Sequence, residues 1–287
     1  MARLPDAAHA GTFRIGGDLP VNRLGFGAMR LTASGLWGEP EDPAEARAVL
    51  ARLAALGINF IDTAEAYGPY VSENLIREVL HPYGDMVIAT KGGIVRHGKG
   101  KFKPHGHPDF LRHGVHTSLL RLGLERIDLW QLHRIDPDTP RDDQFRVIRA
   151  MRDEGLIRHV GLSEVSIDEI RAAQQFFPVA TIQNKYFAGE LQSEAQLDFC
   201  TEHNIGFIPW YPLGGGSMAG PDSQLAEIAA RHQTAPSAIA LAWLLRRSPV
   251  MLPIPGTSKV AHLEQNTAAA EIKLTDAEFA AIQNIKA

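Results

Sequence analysis

The sequence predicts a (β/α)8 barrel with an N-terminal β-hairpin and extra helices near the C-terminus. Eight apolar runs recur along the chain, each followed by a helical pattern. The runs are short, rich in Val, Ile and Phe, and apolar on both faces, as parallel strands covered by helices must be. No glycine-rich dinucleotide turn follows the first run, and eight consecutive units favour a closed barrel over a doubly wound sheet. Residues 1–287 therefore read as one barrel domain, a fold that spans about 200–250 residues or slightly more.

The elements follow in order. "FRIGG" and "LPVNR" flank the turn residues Gly16, Gly17 and Asp18 and predict the hairpin. "RLGFGAM" is the first barrel strand, before an Ala-rich helix over Pro43–Leu56. "INFIDTA" precedes a helix over Ser72–Leu80 with Ser72 as the expected N-cap. "MVIATKGG" leads into Asp109–Leu122, "IDLWQLH" into Asp142–Glu154, and "HVGLSEV" into Asp168–Phe177. "VATIQNKYF" leads into Ser193–His203, and "GFIPWYPL" into two helices, Ser223–His232 and Pro236–Arg247. "VMLPIPGTS" precedes Val260–Ala270, and a final helix is expected over Thr275–Lys286.

Composition removes several function classes. A net charge of -4 gives no electrostatic reason to expect nucleic acid or an anionic membrane surface. Cys200 is the only cysteine, so no intramolecular disulfide can form, which fits a reducing cytoplasm. No apolar run approaches the ~18 residues of a membrane span, and the start lacks a signal-peptide pattern. Two phosphate-loop look-alikes are set aside. "GIVRHGKG" has Gly100 where a P-loop needs Ser or Thr, and "GGGSMA" has no acidic residue about 20 positions on. Both are read as flexible loops.

Barrel enzymes place their chemistry at the C-terminal strand ends, where loops carry reactive groups above an apolar core. Here those ends carry Asp62 with Tyr67 soon after, then Lys91, then Gln131 and His133, then Ser163 and Glu164, then Gln183 and Asn184, then Trp210 and Tyr211. Any one of these alone is more often a turn former or a solvated strand end. An acid, a phenol, an ammonium and an imidazole at three successive strand ends should converge on one mouth.

"LGFGAMR", "INFIDTAEAYG", "IATKGG", "LHRIDPDTP", "GLSEVS", "YPLGGG" and "IPGTSKVAHLEQN" together resemble the aldo-keto reductases, in order and over nearly the whole chain. The resemblance implies a barrel that reduces a small-molecule carbonyl substrate with NADPH. It places the catalytic tetrad on Asp62, Tyr67, Lys91 and His133. Tyr67 would donate the proton as hydride addition charges the carbonyl oxygen. A free phenol has a pKa of about 10, and an ammonium about 4 Å away is expected to draw it roughly three units towards the phenolate. Asp62 would hold Lys91, and His133 would orient the carbonyl. Glu65 has no matching role and is read as a loop or rim carboxylate.

The resemblance also assigns cofactor contacts. Ser163 and Gln183 match positions that hold the nicotinamide amide, and Trp210, with Tyr211 beside it, stands where a ring stacks. Leu213 and Gly214 to Gly216 match the loop over the pyrophosphate. Ser258 and Lys259 match the grip on the 2′-phosphate, and Glu264 and Asn266 the adenine end. His262 and Glu164 depart from the commoner family residues. The "LHRIDPDTP" and "GLSE" forms suggest the branch of pyridoxal and aryl-aldehyde reductases.

Other classes fit less well. His105, His107, His113 and His116 cluster, but zinc barrels usually carry their H-x-H pair on the first strand, so no metal is expected and the segment reads as a substrate-side loop. A Schiff-base aldolase using Lys91 would leave Tyr67 and "IPGTSK" unexplained. A cofactor-binding regulatory subunit of a channel would not need the full tetrad, and no extra N-terminal segment or long C-terminal capping loop is evident. A monomer or weak oligomer is expected.

Overall fold

The computed structural model describes residues 3–214 and 223–285. An antiparallel hairpin, β1 (Thr12–Ile15) and β2 (Leu19–Asn22), lies ahead of the barrel and buries alternate residues. The barrel strands are β3 (Phe26–Gly27), β4 (Phe60–Asp62), β5 (Val87–Gly92), β8 (Ile127–Leu132), β9 (Ile157–Ser163), β10 (Val179–Lys185) and β11 (Gly206–Trp210). They pair in parallel in that order, forming one curled seven-stranded sheet. Between β5 and β8 an antiparallel hairpin, β6 (Ile94–Gly98) and β7 (Lys101–Pro104), projects over the mouth.

The expected eighth strand is reduced to the segment 250–254. The Phe207 N–H donates to the Val250 carbonyl and the Leu252 N–H to the Phe207 carbonyl, while the Gly25 N–H donates to the Pro253 carbonyl at 3.0 Å. The segment thus joins β11 to the approach to β3 and closes the barrel, with a single parallel bridge from Phe207 to Met251. Prolines at 253 and 255 remove ladder donors, which explains why the run is too broken to form a regular strand. Glycine is required at 27, because a Cβ there would lie 2.6 Å from the Ile254 carbonyl oxygen.

Ten helices surround the strands among the described residues: α1 (Pro43–Arg52), α2 (Val71–Leu80), α3 (Pro108–Leu122), α4 (Arg141–Asp153), α5 (Ile167–Gln174), α6 (Glu194–His203), α7 (Gln224–His232), α8 (Pro236–Arg247), α9 (Val260–Thr267) and α10 (Asp276–Gln283). Pro43, Pro108 and Pro236 open their helices at the first turn, where a missing N–H costs nothing. The helix α8 is buried continuously from Ala238 to Leu245. Each of its leucines and isoleucines contributes roughly 1.5–3 kcal/mol of burial.

Two expectations fail here. Ser72 is not the cap of α2: Tyr70 occupies that position in a left-handed conformation, and Ser72 is buried with its hydroxyl 2.8 Å from that of Thr63. "GIVRHGKG" is no loose loop, since β6 runs through it and the Gly98–Gly100 turn joins β6 to β7 just beyond it.

Candidate active site

The register of the parallel sheet sets the site. Gly27 pairs with Asp62 and Asp62 with Ala89, while Lys91, Gln131 and Gly161 line up across β5, β8 and β9. Strand geometry therefore brings polar side chains from four strand ends together at one end of the barrel. Above them opens a cavity of about 370 Å³, with Asp62, Tyr67 and His133 in its wall.

Lys91 is fully buried. Its Nζ donates to Asp62 Oδ2 and, at 2.9 Å, to the Thr63 carbonyl. The other Asp62 oxygen accepts from the amides of Gln131 (2.9 Å) and Gln183 (2.8 Å). Such complete pairing is what a buried carboxylate–ammonium pair needs to offset the loss of water. Burial works to lower the Lys91 pKa, but Asp62 and Tyr67 outweigh it, and the ammonium is held charged.

Tyr67 is buried, and the Lys91 Nζ lies 5.1 Å from its ring centroid. Its pKa is raised, not lowered, which corrects the expectation from the sequence. Loss of water around the phenol is the largest effect; Lys91 pulls the other way and Asp62 cancels part of that pull. The phenol consequently keeps its proton at neutral pH.

The His133 ring stands edge-on to Tyr67, with centroids 6.1 Å apart. Burial, then the charges of Lys91, Arg134 and Arg96, push its pKa well below the ordinary value. The imidazole is neutral at pH 7, with one donor and one acceptor nitrogen. Its Nδ1 is buried and has no partner among the described residues.

Glu65 is not a rim carboxylate. It is buried, its Oε1 accepts the Gly93 N–H at 3.0 Å, and its own N–H donates to the Lys91 carbonyl. A Cβ on Gly114 would lie 2.7 Å from Glu65 Oε2, so that glycine on α3 makes room for the carboxyl. Burial pushes the Glu65 carboxyl up to about 7, reinforced by nearby Glu73 and opposed by the Gly93 N–H.

The donor set in the cavity wall fits a nicotinamide. The Gln183 N–H group is spent on Asp62 and Gln131, while its Oε1 accepts no hydrogen bond among the described residues. Ser163 Oγ accepts from Arg134 at 2.9 Å, and its own proton is left for another acceptor. One acceptor and one donor beside each other match a carboxamide. Trp210 offers a ring, and its Nε1 donates to Glu164 Oε1 at 2.5 Å, which fixes the plane of the indole. Glu164 also accepts the Lys185 N–H at 2.8 Å, a role that the sequence did not reveal.

Tyr211 and Leu213 line the cavity as well, and the Gly214 N–H closes a turn onto the Tyr211 carbonyl. Gly216 lies outside the described residues. Ser258, Lys259, Glu264 and Asn266 do not line the cavity; they continue from Ile254, Pro255 and Gly256, which do. Ser258 and Lys259 are exposed, Asn266 is buried, and Glu264 pairs with Arg52 at 2.7 Å. The clustered histidines are absent from the wall, but Ile94, Arg96 and Phe102 of the β6–β7 hairpin stand in it. No group of three or more His, Cys, Asp or Glu gathers in a metal-binding arrangement among the described residues.

The chain is similar to known proteins over nearly its whole length. The model of the aldo/keto reductase family matches residues 23–287. An uncharacterized oxidoreductase of Schizosaccharomyces pombe is 55% identical over 275 residues, covering 96% of this chain and 90% of its own. Pyridoxine 4-dehydrogenase of Escherichia coli is 37% identical over 281 residues, covering 96% and 98%. Among solved structures, the glycerol dehydrogenase of Gluconobacter oxydans superposes with a TM-score of 0.86 at 27% identity, over 96% of this chain and 94% of that one. The chain belongs to the aldo/keto reductase family.

Proposed function

We propose that this chain reduces an aryl aldehyde to its alcohol, with Tyr67 as the proton donor. One observation carries the reading: Asp62, Tyr67, Lys91 and His133 meet at the buried base of one cavity, with charge states suited to their roles. NADPH, when bound, supplies the hydride. As negative charge develops on the carbonyl oxygen, the neutral phenol of Tyr67 donates its proton, and the fixed ammonium of Lys91 stabilises the phenolate left behind. Asp62 keeps Lys91 charged and in place, with Gln131 and Gln183 holding Asp62 in turn. The neutral His133 orients the substrate oxygen by a hydrogen bond.

Ser163, Gln183 and Trp210, with Tyr211 beside it, would hold the nicotinamide, and Leu213, Gly214 and Gly216 would close over the pyrophosphate. Ser258 and Lys259 would meet the 2′-phosphate, and Glu264 and Asn266 the adenine. An aromatic substrate is supported by a wall that is mostly apolar, by the "LHRIDPDTP" and "GLSE" forms, and by the similarity to pyridoxine 4-dehydrogenase. We also propose that residues 1–287 work as one barrel domain, in the cytoplasm, as a monomer or weak oligomer. No helix among the described residues is long and apolar enough to cross a membrane.

The test is NADPH oxidation, followed by absorbance, with a panel of aromatic and aliphatic aldehydes. Turnover that is fastest on the aromatic members is the expected outcome. Failure to oxidise NADPH with every member would remove the reading.

A further inference from the structure

Three arginines stand in the cavity wall: Arg30 is exposed, whereas Arg134 and Arg96 are partly buried and have no carboxylate partner among the described residues. Arg134 follows His133 directly, and its Nη1 donates to Ser163 Oγ at 2.9 Å and to the His133 carbonyl at 2.6 Å. Arg96, from β6, donates through Nη2 to the carbonyls of Gly35 (2.5 Å) and Leu36 (3.2 Å). The Arg96 Nε is buried with no partner. Neither residue forms an ion pair among the described residues. Glu164 is near enough to Arg134 to be felt, but its Oε1 is already bonded to Trp210 and Lys185. Asp62, the one carboxylate in the described wall, is committed to Lys91.

A partly buried guanidinium loses hydration that a counter-charge, or a full set of carbonyl acceptors such as surrounds Arg23, must restore. Burial lowers the pKa of both, and both act electrostatically on His133, so both charges bear on the reacting end of the cavity. Topology sets Arg96 apart from the cofactor positions, whereas Arg134 touches one of them through Ser163. Arg96 and Arg134 follow β5 and β8, on the side of the tetrad. The nicotinamide and phosphate candidates instead lie at the ends of β9, β10 and β11 and beyond residue 254.

We propose that Arg134 and Arg96 form an oxyanion-recognition subsite, selecting carbonyl substrates that carry a carboxylate or phosphate over their neutral isosteres. The proposal rests on the reading of this cavity as the site of carbonyl reduction. Planar guanidinium donors suit both anions, and a charge-assisted hydrogen bond discriminates against an uncharged analogue by about tenfold or more.

The experiment compares para-carboxybenzaldehyde with its methyl ester, and glyceraldehyde phosphate with glyceraldehyde. Selectivity is read as the ratio of kcat/KM values within each pair. The wild type is expected to favour the anionic member by about tenfold. Arg134→Met should lower that ratio several-fold, Arg134→Lys should retain part of it, and adding Arg96→Met to Arg134→Met should bring it close to one. The two pairs show whether carboxylate or phosphate is preferred. In parallel, calorimetry measures binding of the benzaldehyde and its ester to the NADP⁺ complex of Tyr67→Phe, where no turnover is needed. A wild-type ratio near one, or equal binding of acid and ester, overturns the subsite. So does a ratio that survives both substitutions, or a loss in Arg134→Met confined to NADPH affinity. Selective binding without turnover in the wild type would instead overturn the reductase reading and leave the subsite standing.

Discussion

At the residue scale, the site depends on how burial and charge divide among a few side chains. Tyr67 shows the limit of pairwise reasoning. The sequence exposes the Tyr–Lys pairing, but not the enclosure that makes desolvation outweigh it. Glu65 shows the same limit, since "IDTAEAYG" does not reveal that its second carboxyl is buried against Gly93 and Gly114. That burial has a pH signature. The folded protein holds the Glu65 proton up to about pH 7, whereas an unfolded chain releases it near 4.5. Stability from the neutral carboxyl is therefore present at low pH and lost as pH rises through that window, by at most about 3 kcal/mol. Glu65→Gln should show a melting temperature that gains on the wild type progressively from about pH 5 to 8. An offset that does not change with pH would contradict the assignment.

At the element scale, strand ends were the legible part. Asp62, Lys91 and His133 stood out because each polar group ends an apolar run that does not need it, and the structure gathers them. What links them was hidden. Gln131 and Gln183 reach Asp62 across 69 and 121 residues, and Trp210 reaches Glu164 across 46. No spacing rule encodes such contacts. The β6–β7 hairpin was missed because Gly98, Lys99 and Gly100 read as loop, although they form the turn of an antiparallel pair. That hairpin is anchored to the 35–36 turn through Arg96 and through the Gly100 N–H on the Gly35 carbonyl. It carries Phe102, an exposed aromatic, into the cavity wall. Phe102→Ser should raise KM for an aromatic aldehyde by about fivefold, with a smaller change in kcat. A rise confined to the NADPH dissociation constant would place the hairpin over the cofactor instead.

At the scale of the whole molecule, the barrel was legible because eight strand–helix units repeat in order and each strand is apolar on both faces. Closure was less so, since the last strand is broken by prolines and joins the barrel through three backbone hydrogen bonds and a single bridge. Closure nevertheless matters for the site. It brings Ile254, Pro255 and Gly256 to the mouth beside β3, opposite the elements that carry Lys91 and His133. On the proposed reading one wall would hold the cofactor, and the other would supply the proton donor and its supporting charges. The central claim is that a buried, neutral Tyr67 delivers the proton to the carbonyl oxygen. It is tested most directly by single-turnover NADPH oxidation with an aromatic aldehyde in wild type and Tyr67→Phe, with NADPH affinity measured by fluorescence quenching. A loss of at least a thousandfold in rate, about 4 kcal/mol, at an NADPH affinity within about twofold of wild type, is the predicted result. Turnover in Tyr67→Phe comparable with wild type would contradict it.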